Sequence, residues 1–211
     1  MKTKAIKYIV AVVVLIIVVY NSVYFKKLDE VKASKAATEF NAAQYAENFW
    51  NTKLMQNLNK AVNLNQLITM LSTNPSKTFE TYSHALGIGN LRYFLVSGKG
   101  TISSINEDDI TIQLQNDSSK QNITIATEYI FGNAVRDATG LININEFKNT
   151  MDFNNVSAEI NKIIRAKVLP SFKANVKKES AIEFVGAIEL NKEHLDLSHI
   201  EVIPVRIMSD E

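Results

Sequence analysis

The residues best suited to chemistry are Arg136 and Asp137, within Gly132-Asn-Ala-Val-Arg-Asp-Ala-Thr-Gly140. Arginine presents a planar fork of donors that suits a carboxylate or adjacent sugar hydroxyls, and the aspartate beside it accepts hydrogen bonds. Residues 134–144 read as extended chain, and alternation along a strand sends neighbours to opposite faces, so the two are not expected to pair. The competing reading is a structural salt bridge or a turn cap. Histidine offers less, because His84, His194 and His199 show no zinc-binding spacing. The turn Glu107-Asp108-Asp109 lacks the alternating oxygen ligands and following glutamate of a calcium loop, and reads as solvated. No Gly-x-Ser-x-Gly elbow, phosphate loop or dinucleotide fingerprint occurs. The sequence has no cysteine, which excludes disulfides, thiolate metal sites, a cysteine nucleophile and a lipid-bearing cysteine. No catalytic residue, metal or cofactor is therefore expected.

The net charge of +1, with mixed signs, supplies no basic field for nucleic acid. Asparagine, lysine and isoleucine are heavily used, which reads as compositional bias. The elements that must position any site begin with Tyr8 to Phe25, YIVAVVVLIIVVYNSVYF. As a helix, such a run spans about 27 Å, close to a bilayer core, with Tyr20, Tyr24 and Phe25 at the interface. The absence of an A-x-A-like site favours an uncleaved signal anchor over a cleaved leader. Lysines flank both ends, so their distribution leaves the orientation open. The usual signal-anchor layout makes residues 1–7 cytoplasmic and the rest extracytoplasmic, on a single-pass protein of the plasma membrane.

Residues 26–90 read as a helical stalk. Phe40, Ala43, Ala46, Trp50, Leu54 and Leu58 recur at helical spacing from about residue 33 to 62, and Leu64, Leu67, Ile68 and Leu71 continue it. The Phe40, Phe49, Trp50 stripe reads as packing on the domain that follows. Asn74-Pro75 breaks the pattern, and Ser76 is expected to cap a short helix ending near Gly87. From Leu91 the period becomes two. A first strand bends at Gly98 and Gly100 and runs to Ile105, and a hairpin follows over Ile110–Leu114 and Ile123–Ile125. A helix after Asn154-Asn155 carries Val156, Ile160, Ile163, Ile164 and Val168 and stops at Pro170. Strands over Ile182–Gly186 and Ile200–Ile207 complete the order, with Pro204 at an edge or bulge. The expected class is α+β: an N-terminal transmembrane helix and helical stalk, then an OB-like five-stranded barrel over 91–211 with one helix between its third and fourth strands.

Several stretches together resemble a bacterial family of predicted periplasmic lipoproteins, domain of unknown function 2291. They are Phe40-Asn-Ala-Ala-Gln-Tyr-Ala-Glu-Asn-Phe-Trp50, Phe94-Leu-Val-Ser-Gly-Lys-Gly100, Gly132 to Ile142 with its Arg-Asp-Ala-x-Gly core, Asn145-Glu-Phe-Lys-Asn149 and Val202-Ile-Pro-Val-Arg206. The resemblance covers residues 28 to 208 and rests on the order of the motifs. It implies an extracytoplasmic location and a role beside carbohydrate ABC transporters. Many relatives carry a cysteine after the apolar segment; here the helix must hold the protein. The candidate ligand- or partner-binding residues are Arg136, Asp137, Asn133 and Asn145. The leading expectation is a non-enzymatic accessory or binding protein that meets sugar ABC transporter components and the membrane, but no nucleic acid. The alternatives are a sugar-sensing domain and, behind it, a hydrolase, which would need a cleft of converging, pKa-perturbed groups.

Overall fold

The computed structural model describes residues 6, 8, 12–18, 20, 40–86, 89–115 and 121–209. The chain divides into two units, Met1–Phe40 and Asn41–Glu211. In the first, the described residues from Ile6 to Val18 and Tyr20 are helical, with exposed apolar side chains. Among the described residues no helix is long and apolar enough to cross a membrane. The rest of the expected 8–25 span, and residues 26–39, lie outside the described residues.

The second unit opens with helix α1, Ala42–Asn48, whose first turn is capped by the Asn41 side chain accepting from the Gln44 N–H at 2.9 Å. The helical path continues through a widened π-type turn, Phe49–Leu54, and a tighter 3-10 turn, Met55–Lys60. Ala46, Phe49, Trp50, Leu54 and Leu58 are all buried along it, so Phe49 and Trp50 of the aromatic stripe pack inside the unit, while Phe40 belongs to the first unit and is half-buried. Strand β1, Val62–Asn63, leads into α2, Leu64–Thr73, and α3, Pro75–Tyr82. The cap of α3 is Asn74 and not Ser76: its side chain accepts from the Lys77 N–H, and Pro75 occupies the first turn, where its missing N–H costs nothing. The helix ends at Tyr82 instead of near Gly87, because His84 pairs as a bridge with Tyr93.

Strand β2, Leu91–Ile105, changes partners along its length. From Leu91 to Thr101 it lies antiparallel to β5, Ala181–Asn191; from Gly100 to Ile105 it lies antiparallel to β3, Asp109–Leu114. The two glycines sit where the partners exchange. A Cβ on Gly98 would lie 2.6 Å from the Phe184 ring, and one on Gly100 would lie 2.6 Å from the Gln113 carbonyl oxygen. Strand β4, Asn122–Ala126, completes the expected hairpin with β3. Strand β6, Ile200–Ser209, runs parallel to β4 and antiparallel to β5. The pairings therefore pass β2–β3–β4–β6–β5 and return to β2, with β1 a short sixth strand beside β2. Pro204 lies opposite Gly186 at a register shift, the bulge position expected of a proline.

Between β4 and β5 the chain departs from expectation. Ala134–Ala138 forms a short helix, α4, where extended chain was expected, followed by a 3-10 turn at Ile144–Glu146. Helix α5, Thr150–Ile163, starts before Asn154-Asn155, capped by Asn149 accepting from the Asp152 N–H at 2.8 Å. It does not stop at Pro170. A π-type turn, Ile164–Val168, loosens the i−4 ladder that proline cannot join, and α6, Leu169–Asn175, carries Pro170 in its first turn. A helical layer thus replaces the single helix expected.

The core inside the strand ring contains Phe94, Val96, Ile102, Ile112, Phe184 and Val202, closed by Leu67, Leu71 and Phe79 of α2 and α3. The other face of β2 and β5 is covered by α4, and α5 packs on α1. This second layer explains why Tyr93-Phe94-Leu95-Val96 is apolar without alternation: all four side chains are buried.

Candidate functional site

The site is built on α4. Gly132 at φ 77° turns the chain out of the loop, and Gly140 at φ 63° ends the helix in the left-handed region. A Cβ on Gly140 would also run into the His84 imidazole. Between them, the Asp137 N–H donates to the Asn133 carbonyl at 2.9 Å, and the Gly140 N–H donates to the Asp137 carbonyl at 3.0 Å. All five side chains of α4 are buried. The two alanines let the helix lie close to β2 and β5.

Arg136 and Asp137 pair directly, contrary to the expectation from strand alternation. Arg136 Nε donates to Asp137 Oδ1 at 2.6 Å and Nη2 donates to Oδ2 at 2.9 Å. In a helix the neighbours are no longer on opposite faces, and the long arginine side chain folds back onto the carboxylate. Arg136 Nη1 also donates to the Phe153 carbonyl at 3.1 Å and to Asn154 Oδ1 at 3.4 Å. The guanidinium carbon lies 3.5 Å from the centroid of the Phe153 ring, a cation–π contact. The pair thereby ties α4 to α5, with the side chains only 3% exposed. Burial pushes the Asp137 carboxyl up, while the two bonds from Arg136 oppose the rise. Nearby, burial and the charges of Glu189 and Asp137 push the Tyr93 hydroxyl up to about 12.

Above the pair lies a cleft of about 240 Å³. Leu91 and Tyr93, Asn133, Ile144, Thr150, Phe153 and Asn154 surround Arg136 and Asp137 in it. Leu91 and Ile144 are exposed at 46% and 39%, giving the rim an apolar edge. Of the residues singled out in the sequence, the fold brings Arg136, Asp137 and Asn133 together. Asn145 is left out; its N–H donates to Asn143 Oδ1 at 2.9 Å in the exposed 3-10 turn. Tyr93, Thr150, Phe153 and Asn154 were not anticipated as site residues. Their signal is a tertiary one, the docking of β2 and α5 around α4. Chemically, the guanidinium fork faces Asp137, so bidentate recognition of a ligand would require opening a buried ion pair.

A serine, a histidine and an aspartate also meet at Asp196, Ser198 and His199. Ser198 Oγ and Asp196 Oδ2 lie 2.9 Å and 3.0 Å from the same ring nitrogen, His199 Nδ1. A nucleophilic triad needs them on opposite ring nitrogens, so this exposed cluster is a loop cap and not a charge-relay arrangement. Among the described residues no three His, Asp or Glu side chains gather where they could hold a metal ion.

An OB-fold protein from Thermotoga maritima, known from its crystal structure, is similar to this chain. The two are 26% identical with a TM-score of 0.72, over 82% of this chain and 99% of that one. No match was found among curated proteins. The family model described as predicted periplasmic lipoprotein (DUF2291) matches residues 13–208. The chain therefore belongs to that family of predicted periplasmic lipoproteins, domain of unknown function 2291.

Proposed function

We propose that this chain is a non-enzymatic accessory module held on the outer face of the plasma membrane, where its OB-type domain binds a component of a carbohydrate ABC transporter. The observation that carries the reading is the cleft on α4. Its charged groups already satisfy one another, and its rim exposes Leu91 and Ile144. A recess with paired charges and an apolar edge suits docking of a protein surface better than bond chemistry, which needs groups free to move protons or attack. The ring of pairings is read as a closed five-stranded barrel that holds this recess in place. Membership of a predicted periplasmic lipoprotein family supports the extracytoplasmic placement. The sequence contains no cysteine to carry a lipid, so the apolar run at 8–25 is assigned as the anchor in its place. A photo-crosslinking residue placed at Leu91 or Ile144 in growing cells tests the reading. Capture of a permease or substrate-binding component supports it; clean absence of both counts against it.

A second reading has its own observation. Asn133, Thr150 and Asn154 bring polar groups into a recess large enough for one sugar ring. If the domain senses a free sugar, a ligand at 100 times its dissociation constant adds about 2.7 kcal/mol of stability. A thermal-shift panel of pentoses and hexoses with no response from any of them removes this reading.

A further inference from the structure

A different cavity, of about 370 Å³, opens at the end of the strand ring where β2 begins and β5 finishes. Its wall holds Arg92 and Lys192 from the strand ends, and Ser76, Glu80 and Ser83 from α3 and the turn after it, over the buried ring of Phe79. Arg92 lies opposite Leu190 in the ladder and on the same face of β2 as Phe94 and Val96, so it extends the core-facing row to the mouth of the ring. Lys192 follows directly, its N–H donating to the Asn90 carbonyl at 2.7 Å.

The charges in this cavity are unusual for a folded interior edge. Arg92 is half-buried, yet among the described residues its guanidinium has no hydrogen-bond or ion-pair partner. The Lys192 ammonium has none either, and Glu80 does not reach either cation. Partly desolvated arginines normally find an anion, because taking the charge out of water is costly without one. Around this cavity two cations and one carboxylate face a common space without meeting across it. The net excess is one positive charge. Mouths of strand barrels are also recurrent small-ligand sites.

We propose that this cavity binds a small oxyanion, a carboxylate or a phosphate, on a body that also carries hydroxyls. The Arg92 fork takes two oxygens of the anion, Lys192 supplies the second charge, and Glu80 and the Ser76 hydroxyl accept from the ligand's hydroxyl groups. The site is separate from the α4 cleft and stands whether or not that cleft docks a transporter.

The test is a thermal-shift and calorimetric titration of the full chain in detergent micelles at fixed ionic strength, using inorganic phosphate, D-glucuronate, D-glucose and sodium chloride. Saturable stabilisation by phosphate or by glucuronate, absent with glucose and chloride, is expected, and the responding arm identifies the oxyanion. Arg92→Gln should weaken that binding at least tenfold, and Lys192→Gln several-fold. Lys192 is exposed, so its variant carries the test if Arg92→Gln does not fold. No response to either anion, an equal response to chloride, or unchanged affinity in a folded variant overturns the proposal.

Discussion

Removing Asp137 while keeping Arg136 should be among the most damaging single changes in this domain. The Arg136 side chain is 3% exposed and directs two of its nitrogens at the Asp137 carboxylate, at 2.6 Å and 2.9 Å. In Asp137→Ala the guanidinium loses its carboxylate and keeps the Phe153 carbonyl, Asn154 and the Phe153 ring face as its partners among the described residues. Breaking a buried pair from one side costs about 3–5 kcal/mol, because the surviving charge is uncompensated. Arg136→Met should cost a similar amount by stranding the carboxylate. The double variant removes both charges and should recover much of the loss, since a paired charge and an apolar filling of similar volume are close in energy. The two single effects should therefore fail to add by at least about 2 kcal/mol. Urea unfolding of the full chain and its three variants in the same detergent gives the cycle. A single-variant cost below about 1 kcal/mol, or additive single effects, would refute the clamp as the element that joins α4 to α5.

Three further outcomes follow from the structure. Tyr93 keeps its proton in the folded protein to about pH 12 but loses it near pH 10 when unfolded, so stability should be fully present below pH 10 and fall by about 2 kcal/mol between the two values. Tyr93→Phe should remove that share of the alkaline decline in pH-dependent melting and leave the share from Tyr45, whose hydroxyl is also pushed up by burial and Glu146. Gly100→Ala should destabilise by about 1–3 kcal/mol, because the new methyl meets the backbone oxygen of Gln113, which cannot swing aside as a side chain can; chemical denaturation reads the loss. Ser157→Ala should stabilise by about 1 kcal/mol, since among the described residues the buried Ser157 hydroxyl on α5 has no hydrogen-bond partner and alanine is the better helix former. A drop in melting temperature for this variant would contradict that account of the site.

The strands were legible because their physics is local. Ile110, Ile112 and Leu114 alternate with polar residues, and turn clusters bound them. Gly98 and Gly100 read as a bend; they stand near the change of partners, at close approaches to Phe184 and Gln113, and the register shift falls between Ile102 and Ser104 instead. Pro204 reads as an edge or bulge position and lies at a register shift. Helix α4 was not legible. Five residues, Ala-Val-Arg-Asp-Ala, are too few to show a helical period, and its flanking glycines suit a strand bend as well as a helix end. That one misreading separated Arg136 from Asp137 in the sequence view, although the chain joins them. The helix boundaries slipped for a second reason. Asn41, Asn63, Asn74 and Asn149 each cap a helix through the side-chain oxygen, so part of the asparagine content that reads as compositional bias is structural. Pro170 misled because a π-type turn, invisible to a 3.6-residue pattern, lets the helical path pass it.

The proposed role requires the domain to lie outside the cytoplasm. Intact spheroplasts expressing the full chain with a C-terminal epitope, treated with external protease, test that directly. The domain should be digested from outside while the membrane stays sealed, and the remaining apolar segment should stay with the membrane fraction. A domain that remains intact until the spheroplasts are lysed would place it in the cytoplasm and contradict the proposed role.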